Sequence, residues 1–282
     1  MRHEADLVQF RGVERVRIGS LDVDRLTFAE AIDAIDELVR GLRGGAVFTP
    51  NVDHVVLADE HAGFRASYAR ADLCLADGMP LIWASRLLGR PLPQKVSGSD
   101  LIAPLMERAA ARGWRVYLVG AGPGIAEKAA AVFRSRGVAV VGVDAPLIRD
   151  PRSADERGPI VERIRRAGAD LVLVAFGAPK QELFIDSARP EVGPAVMIGV
   201  GASLDFVAGA IRRAPRWMSD RGLEWLYRLW REPRRLWRRY LLRDPEFVWT
   251  VWRTLLDRRR PDAPAITGTR PLPQQPRAAA RA

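Results

Sequence analysis

Between residues 13 and 211, short uninterrupted apolar runs alternate with longer amphipathic stretches, the rhythm of strands alternating with helices. The runs predict strands at residues 13–18, 46–49, 72–76, 115–119, 138–143, 170–175 and 195–200. A run such as Leu171-Val-Leu-Val174 has no polar position on either side. Such a strand needs cover on both faces and therefore belongs in a mostly parallel sheet. Helices fill the intervals. Thr27-Phe-Ala-Glu30 has the form of a capping box and opens a helix expected to reach about Arg43. Ser99 and Asp100 are expected to cap a helix ending near Gly113, and further helices are predicted at 123–136, 154–167 and 179–187. The fold class is α/β: a mostly parallel, Rossmann-like sheet flanked by helices.

In such sheets ligands sit beyond the carboxyl ends of the strands, which nominates the segments just after each run. Asp77 follows one strand and precedes Gly78, a position suited to a general base. An N-cap for a helix starting at Met79 explains the same residue. Thr49-Pro-Asn51 follows another strand, and its polar side chains can bond sugar hydroxyls or a uracil edge. Capping of a helix from Val52 accounts for one of the two equally well. His54 and His61 read as positions on a solvated helix face. Lys180, Gln181 and Glu182 open a helix after the turn Gly177-Ala-Pro179, grouping a cation, an amide and a carboxylate at the ligand edge; a solvated helix start is the alternative. Gly120-Ala-Gly-Pro-Gly124 has backbone N–H groups free to cradle a phosphate, although it lacks the third glycine of a dinucleotide fingerprint.

Charge divides the chain further. Residues 1–211 carry 26 Lys and Arg against 27 Asp and Glu, whereas residues 212–260 carry 15 Arg against 6 acids. The same short segment holds six of the eight tryptophans. The expected organisation is an α/β catalytic domain over 1–211, a basic, Trp-rich helical appendage over 212–260 and a disordered tail over 261–282. Arginines beside Leu, Trp and Tyr at helical spacing suit docking on an anionic membrane surface; nucleic-acid binding is the competing use of the same residues. No run reaches the ~18 apolar residues of a membrane span, and the N-terminus lacks a signal core. The one cysteine, Cys74, lies in an apolar run and reads as a core residue. Asp22-Val-Asp24 has the spacing of a metal-holding acidic pair, but its place ahead of the first helix reads as a turn.

Seven motifs in order then carry a resemblance: Thr49-Pro-Asn51, Ala76-Asp-Gly78, Gly98-Ser-Asp100, Gly177-Ala-Pro-Lys-Gln-Glu182, Gly201 to Asp205-Phe206 with Gly209, Arg213-Ala-Pro215 and Leu223-Glu-Trp-Leu-Tyr-Arg228. Across about residues 15–242 the sequence resembles the WecG/TagA/CpsF family, glycosyltransferase family 26. The resemblance implies inverting transfer from a UDP-sugar to an undecaprenyl-diphosphate-linked sugar, without a metal or other cofactor. Such transfer serves teichoic-acid linkage units, enterobacterial common antigen or exopolysaccharides. The donor sugar would be of the N-acetylmannosamine type, its uronic acid, or glucose. Asp77 would be the base. Thr49, Asn51, Lys95, Asp100, Lys180, Gln181, Glu182 and Asp205 would line the donor and acceptor site. Arg213, Arg221 and Arg228 would hold the diphosphates while the appendage docks on the inner face of the plasma membrane. Lys95 stands where the family usually has Arg, keeping the charge without the bidentate fork. Pro80 stands in a turn that usually reads Asp-Gly-Ile-Gly, and residues 144–150 lack the family's Gly-Tyr element. No nucleic acid is expected as a partner, and self-association is left open. On the residues alone, an NAD(P)-binding enzyme using the 120–124 loop and a nucleic-acid-binding protein remain the rival readings.

Overall fold

A computed structural model describes residues 13–211, 214–215, 218, 223–231, 233, 244–257 and 269–270. The chain opens with an antiparallel hairpin of β1 (Val13–Ile18) and β2 (Leu21–Asp24), followed by α1 (Phe28–Arg40). Then come β3 (Gly45–Phe48), α2 (Val52–Glu60), α3 (Ala62–Arg70), β4 (Leu73–Cys74), α4 (Met79–Leu87) and α5 (Gly98–Arg112). The second half continues with β5 (Arg115–Gly120), α6 (Ile125–Ser135), β6 (Ala139–Asp144) and α7 (Ala154–Ala167). It closes with β7 (Leu171–Ala175), α8 (Lys180–Val192), β8 (Val196–Gly199) and α9 (Ser203–Val207). Two further helices, α10 (Glu224–Arg231) and α11 (Asp244–Asp257), and a short strand β9 (Thr269–Arg270) complete the description.

Six strands form one parallel sheet in the order β4-β3-β8-β7-β5-β6. Alternation along each strand sends side chains to opposite layers. Val172 and Val174 enter one core with α2, α3, α4, α7, α8 and α11, while Leu171 and Leu173 enter the other with α1, α5, α6 and α9. Both faces are therefore covered, as the apolar runs require. The capping box is present: Thr27 accepts from the Glu30 N–H while the Glu30 carboxylate accepts from the Thr27 N–H at 2.7 Å. That helix ends at Arg40 rather than near Arg43, with Gly41 closing it.

Several expectations need correction. Asp22 and Asp24 lie on strand β2 rather than in a turn, because β1 brings an arginine opposite each. Arg17 binds Asp22 through two bonds of 2.8 Å, and Arg15 donates to Asp24 at 2.7 Å. Asp24 also accepts from the Cys74 N–H at 2.6 Å, so this pair ties the hairpin to β4. The cap of α5 is Ser97, two residues earlier than expected. In the segment read as a tail, Thr269 and Arg270 pair with Glu14 and Val13 of β1. Within the segment read as an appendage, α11 packs on α2 and β1, with Phe247, Thr250 and Val251 buried. Its Arg253 donates to Asp59, as does Thr250 at 3.0 Å.

Candidate active site

Strand order decides which loops meet. Because β4, β3, β8 and β7 are neighbours, the segments after their carboxyl ends lie side by side, and these hold Asp77, Thr49 with Asn51, Asp205, and Gln181 with Glu182. Main-chain bonds stitch them. The Asp77 N–H donates to the Pro50 carbonyl at 2.8 Å, and the Val96 N–H donates to the Ala76 carbonyl at 2.7 Å. Asp77 is thereby fixed between the 49–51 loop and the 95–100 segment, half-buried at the rim. The N-cap of α4 is Gly78, one residue after Asp77.

The 95–100 segment brings Lys95 to 3.3 Å from the Asp100 carboxylate, which also accepts from the Ser97 hydroxyl at 2.6 Å. Gly98 is where three loops touch. A Cβ placed there would lie 3.2 Å from the Thr49 hydroxyl and 3.8 Å from the Ser203 hydroxyl, so the bare backbone lets α5 approach β3 and β8 closely. Asp205 sits on α9, half-buried, and its carbonyl accepts from the Ala210 N–H at 3.0 Å. Beside it opens a cleft of about 440 Å³ lined by Ala210, Ile211 and, from α10, Trp230 and Arg231.

The start of α8 differs from a solvated helix end. Gln181 and Glu182 are buried, the latter only 1% exposed. The Gln181 amide oxygen accepts from the Gly201 N–H at 3.0 Å, and its NH₂ donates to Glu182 at 2.9 Å. Gln181 thus couples the loops after β7 and β8. Lys180 turns the other way and donates to the Ile148 carbonyl at 2.9 Å, in the connection after β6.

His54 overturns its reading as a surface residue, being 7% exposed and stacked on Phe64. Its Nδ1 accepts from the Asn51 N–H at 3.1 Å, and its buried Nε2 faces the Glu182 carboxylate at 3.5 Å without a hydrogen bond. One imidazole is therefore bonded to the loop after β3 and packed close to the start of α8. Tyr68 packs alongside, its ring 6.4 Å from His54. Burial, then the neighbouring carboxylate of Glu182, the thiol of Cys74 and Asp77 push the Tyr68 hydroxyl well above its ordinary pKa, keeping it protonated. The signal for His54 in the sequence is its place three residues after the capping Asn51, where a side chain can reach back to the cap's N–H.

Of the proposed phosphate-binding arginines, Arg213 and Arg221 lie outside the described residues, and Arg228 lies on α10 with its side chain outside them. Among the described residues no group of three or more His, Cys, Asp or Glu side chains is arranged to hold a metal ion, and no helix is long and apolar enough to cross a membrane.

A two-faced parallel sheet whose carboxyl-end loops gather a rim carboxylate with hydroxyl and amide groups is the arrangement in which open α/β sheets bind ligands. The chain belongs to the WecG/TagA/CpsF family of glycosyl transferases, whose model matches residues 16–261. It is similar to the N-acetylglucosaminyldiphosphoundecaprenol N-acetyl-beta-D-mannosaminyltransferase of Bacillus spizizenii (strain W23), at 33% identity over 211 residues, covering 74% of this chain and 79% of the relative. The protein is a glycosyltransferase.

Proposed function

We propose that this enzyme transfers an N-acetylmannosamine-type sugar from its UDP derivative to an N-acetylglucosaminyl-diphosphate carried on a polyprenol, with inversion at the anomeric carbon and without a metal. The relative acts on a diphosphoundecaprenol-linked acceptor and forms a beta linkage. A donor sugar joined to UDP through an alpha bond is inverted by a single in-line displacement to give that product.

The observation that carries the reading is the placement of Asp77, held by backbone bonds to Pro50 and flanked by the Val96–Ala76 bond, where the loops bearing Thr49, Asn51 and Asp100 converge. Asp77 accepts the proton of the acceptor hydroxyl as its oxygen bonds to the anomeric carbon. The bond from that carbon to the UDP oxygen breaks, and UDP leaves with the electron pair. Cations stabilise the departing diphosphate in place of a metal. Lys95 is the described candidate, and Arg213, Arg221 and Arg228 are the others on family resemblance. Docking at the inner face of the plasma membrane is supported by the outer face of α11, where Val248, Trp249 and Trp252 are exposed and the two indoles lie 4.6 Å apart.

The test is a mass-spectrometric transfer assay pairing UDP-N-acetylmannosamine, its uronic acid and UDP-glucose with a polyprenyl-diphosphate N-acetylglucosamine, in EDTA. A beta-linked disaccharide from the first donor is expected. No transfer from any donor, or transfer only after Mg²⁺ or Mn²⁺ is restored, would contradict the reading.

A further inference from the structure

Helix α4 begins at Met79, two residues after Asp77, and is apolar on two opposite sides. Its inner side buries Leu81, Ile82 and Ala84, with Leu88 just beyond its end also buried. Its outer side carries Met79, Trp83 and Leu87 at intervals of four, hence on one face. Met79 is partly buried, whereas Trp83 is 49% and Leu87 64% exposed. Lone exposed residues such as Leu42 and Leu147 are ordinary on a protein surface. Trp83 and Leu87, about 6 Å apart along one helix face and in line with the partly buried Met79, are not a scatter of that kind. Arg86 on the same helix and Arg90 just after it are exposed, and neither forms an ion pair among the described residues. The combination of an indole, an aliphatic side chain and two unpaired guanidinium groups matches the boundary between lipid headgroups and acyl chains.

We infer that α4 is a bilayer-seating element of the catalytic body, resting its Trp83–Leu87 face on an anionic lipid surface so that Asp77 opens onto the headgroup layer. This deepens the proposed function and rests on its lipid-linked acceptor. A polyprenyl chain stays in the membrane while its diphosphate sugar must reach Asp77, and α4 is the helix that starts two residues after it. The α11 tryptophans lie on the same side of the sheet as α4, and both helices contact β1. Seating by α4 is therefore compatible with docking by α11. The distinction is that α4 would place the active site itself against the lipid.

Two measurements on the full chain test this. The Trp83→Ser/Leu87→Ser double variant is expected to bind vesicles of phosphatidylglycerol and phosphatidylcholine roughly tenfold or more weakly than the unaltered protein in a sedimentation assay. Its thermal midpoint should be unchanged, since both side chains are exposed. Separately, a Trp83→Cys variant labelled with an environment-sensitive dye should shift to the blue and become shielded from an aqueous quencher when those vesicles are added. Unchanged vesicle affinity, or a dye that stays water-exposed on vesicles, overturns the inference. So does a double variant that loses self-association while keeping its vesicle affinity, which would make the face a contact between copies. If the unaltered protein transfers sugar to no polyprenyl acceptor, the activity reading fails, while the dye still reports whether α4 meets lipid.

Discussion

The two halves of the parallel sheet use their polar residues differently. At the β4-β3-β8-β7 half, contacts run from loop to loop: Asp77 bonds to Pro50, Gln181 bonds to Gly201, and His54 bonds to Asn51 and lies 3.5 Å from Glu182. They hold a carboxylate half-exposed at the rim. At the β5-β6 half, polar groups satisfy one another within a small neighbourhood. The Tyr117 hydroxyl donates to Asp144 at 2.7 Å, and Arg163 donates to the same carboxylate at 3.0 Å. Burial first, and then the bond to Asp144, push the Tyr117 hydroxyl up to about 12, so near neutral pH it is a fixed donor. One edge thus couples its loops around a half-buried carboxylate, whereas the other closes its valences locally.

Substitutions sharpen that contrast. The largest effect is expected for Asp77→Ala, which should lower turnover by about 10² or more by removing the base. Next comes His54→Ala, which deletes the bond to Asn51 and the buried ring packed beside Glu182. Misplacement of the two loops should lower kcat/KM roughly 10-fold to 100-fold, with a thermal midpoint separating this loss from unfolding. On the other half, effects should fall mainly on stability. Gly120 adopts φ +94°, and a Cβ there would lie 2.9 Å from the Ala175 carbonyl carbon and oxygen. Gly120→Ala should therefore cost about 2 kcal/mol in denaturant titration, and because Ala175 ends β7 the folded fraction should lose some turnover, though less than His54→Ala. Smallest is Tyr117→Phe, which loses one hydrogen bond worth about 1 kcal/mol. Its pH dependence has a definite sign. The hydroxyl titrates higher in the folded chain than its ordinary value of 10.0, so its contribution is full below pH 10 and lost as pH rises towards 12. The stability gap between Tyr117→Phe and the unaltered chain should close over that window. A far-half substitution that cut turnover as deeply as His54→Ala would erase the distinction.

The alternation of apolar runs made the parallel sheet legible, since strands buried on both faces have no polar side to interrupt them. Helix α7 was equally plain, starting and ending where the sequence placed it. The β1–β2 hairpin was hidden because Asp22 and Asp24 carry a turn signal; what makes them strand residues is pairing with Arg17 and Arg15 across the ladder. His54 was misread because its burial depends on Phe64, Tyr68 and Glu182, which only the tertiary fold brings to it. The place of Asp77 just after a strand was legible from the apolar run before it, whereas the assignment of Gly78 as the N-cap of α4 needed the structure. The glycine-rich 120–124 loop looked like a phosphate cradle by composition. It follows β5, whose neighbours are β7 and β6, one strand beyond the loops that gather around Asp77.

Everything in the mechanism turns on Asp77 acting on the proton of the acceptor rather than holding the donor. Turnover and UDP-sugar affinity of the near-isosteric Asp77→Asn variant, measured side by side by product formation and titration calorimetry, separate the two roles. The account predicts a turnover number lower by about 10² or more with donor affinity within roughly twofold of the unaltered enzyme. Near-normal turnover, or a loss of donor affinity that accounts for the whole defect, would contradict it.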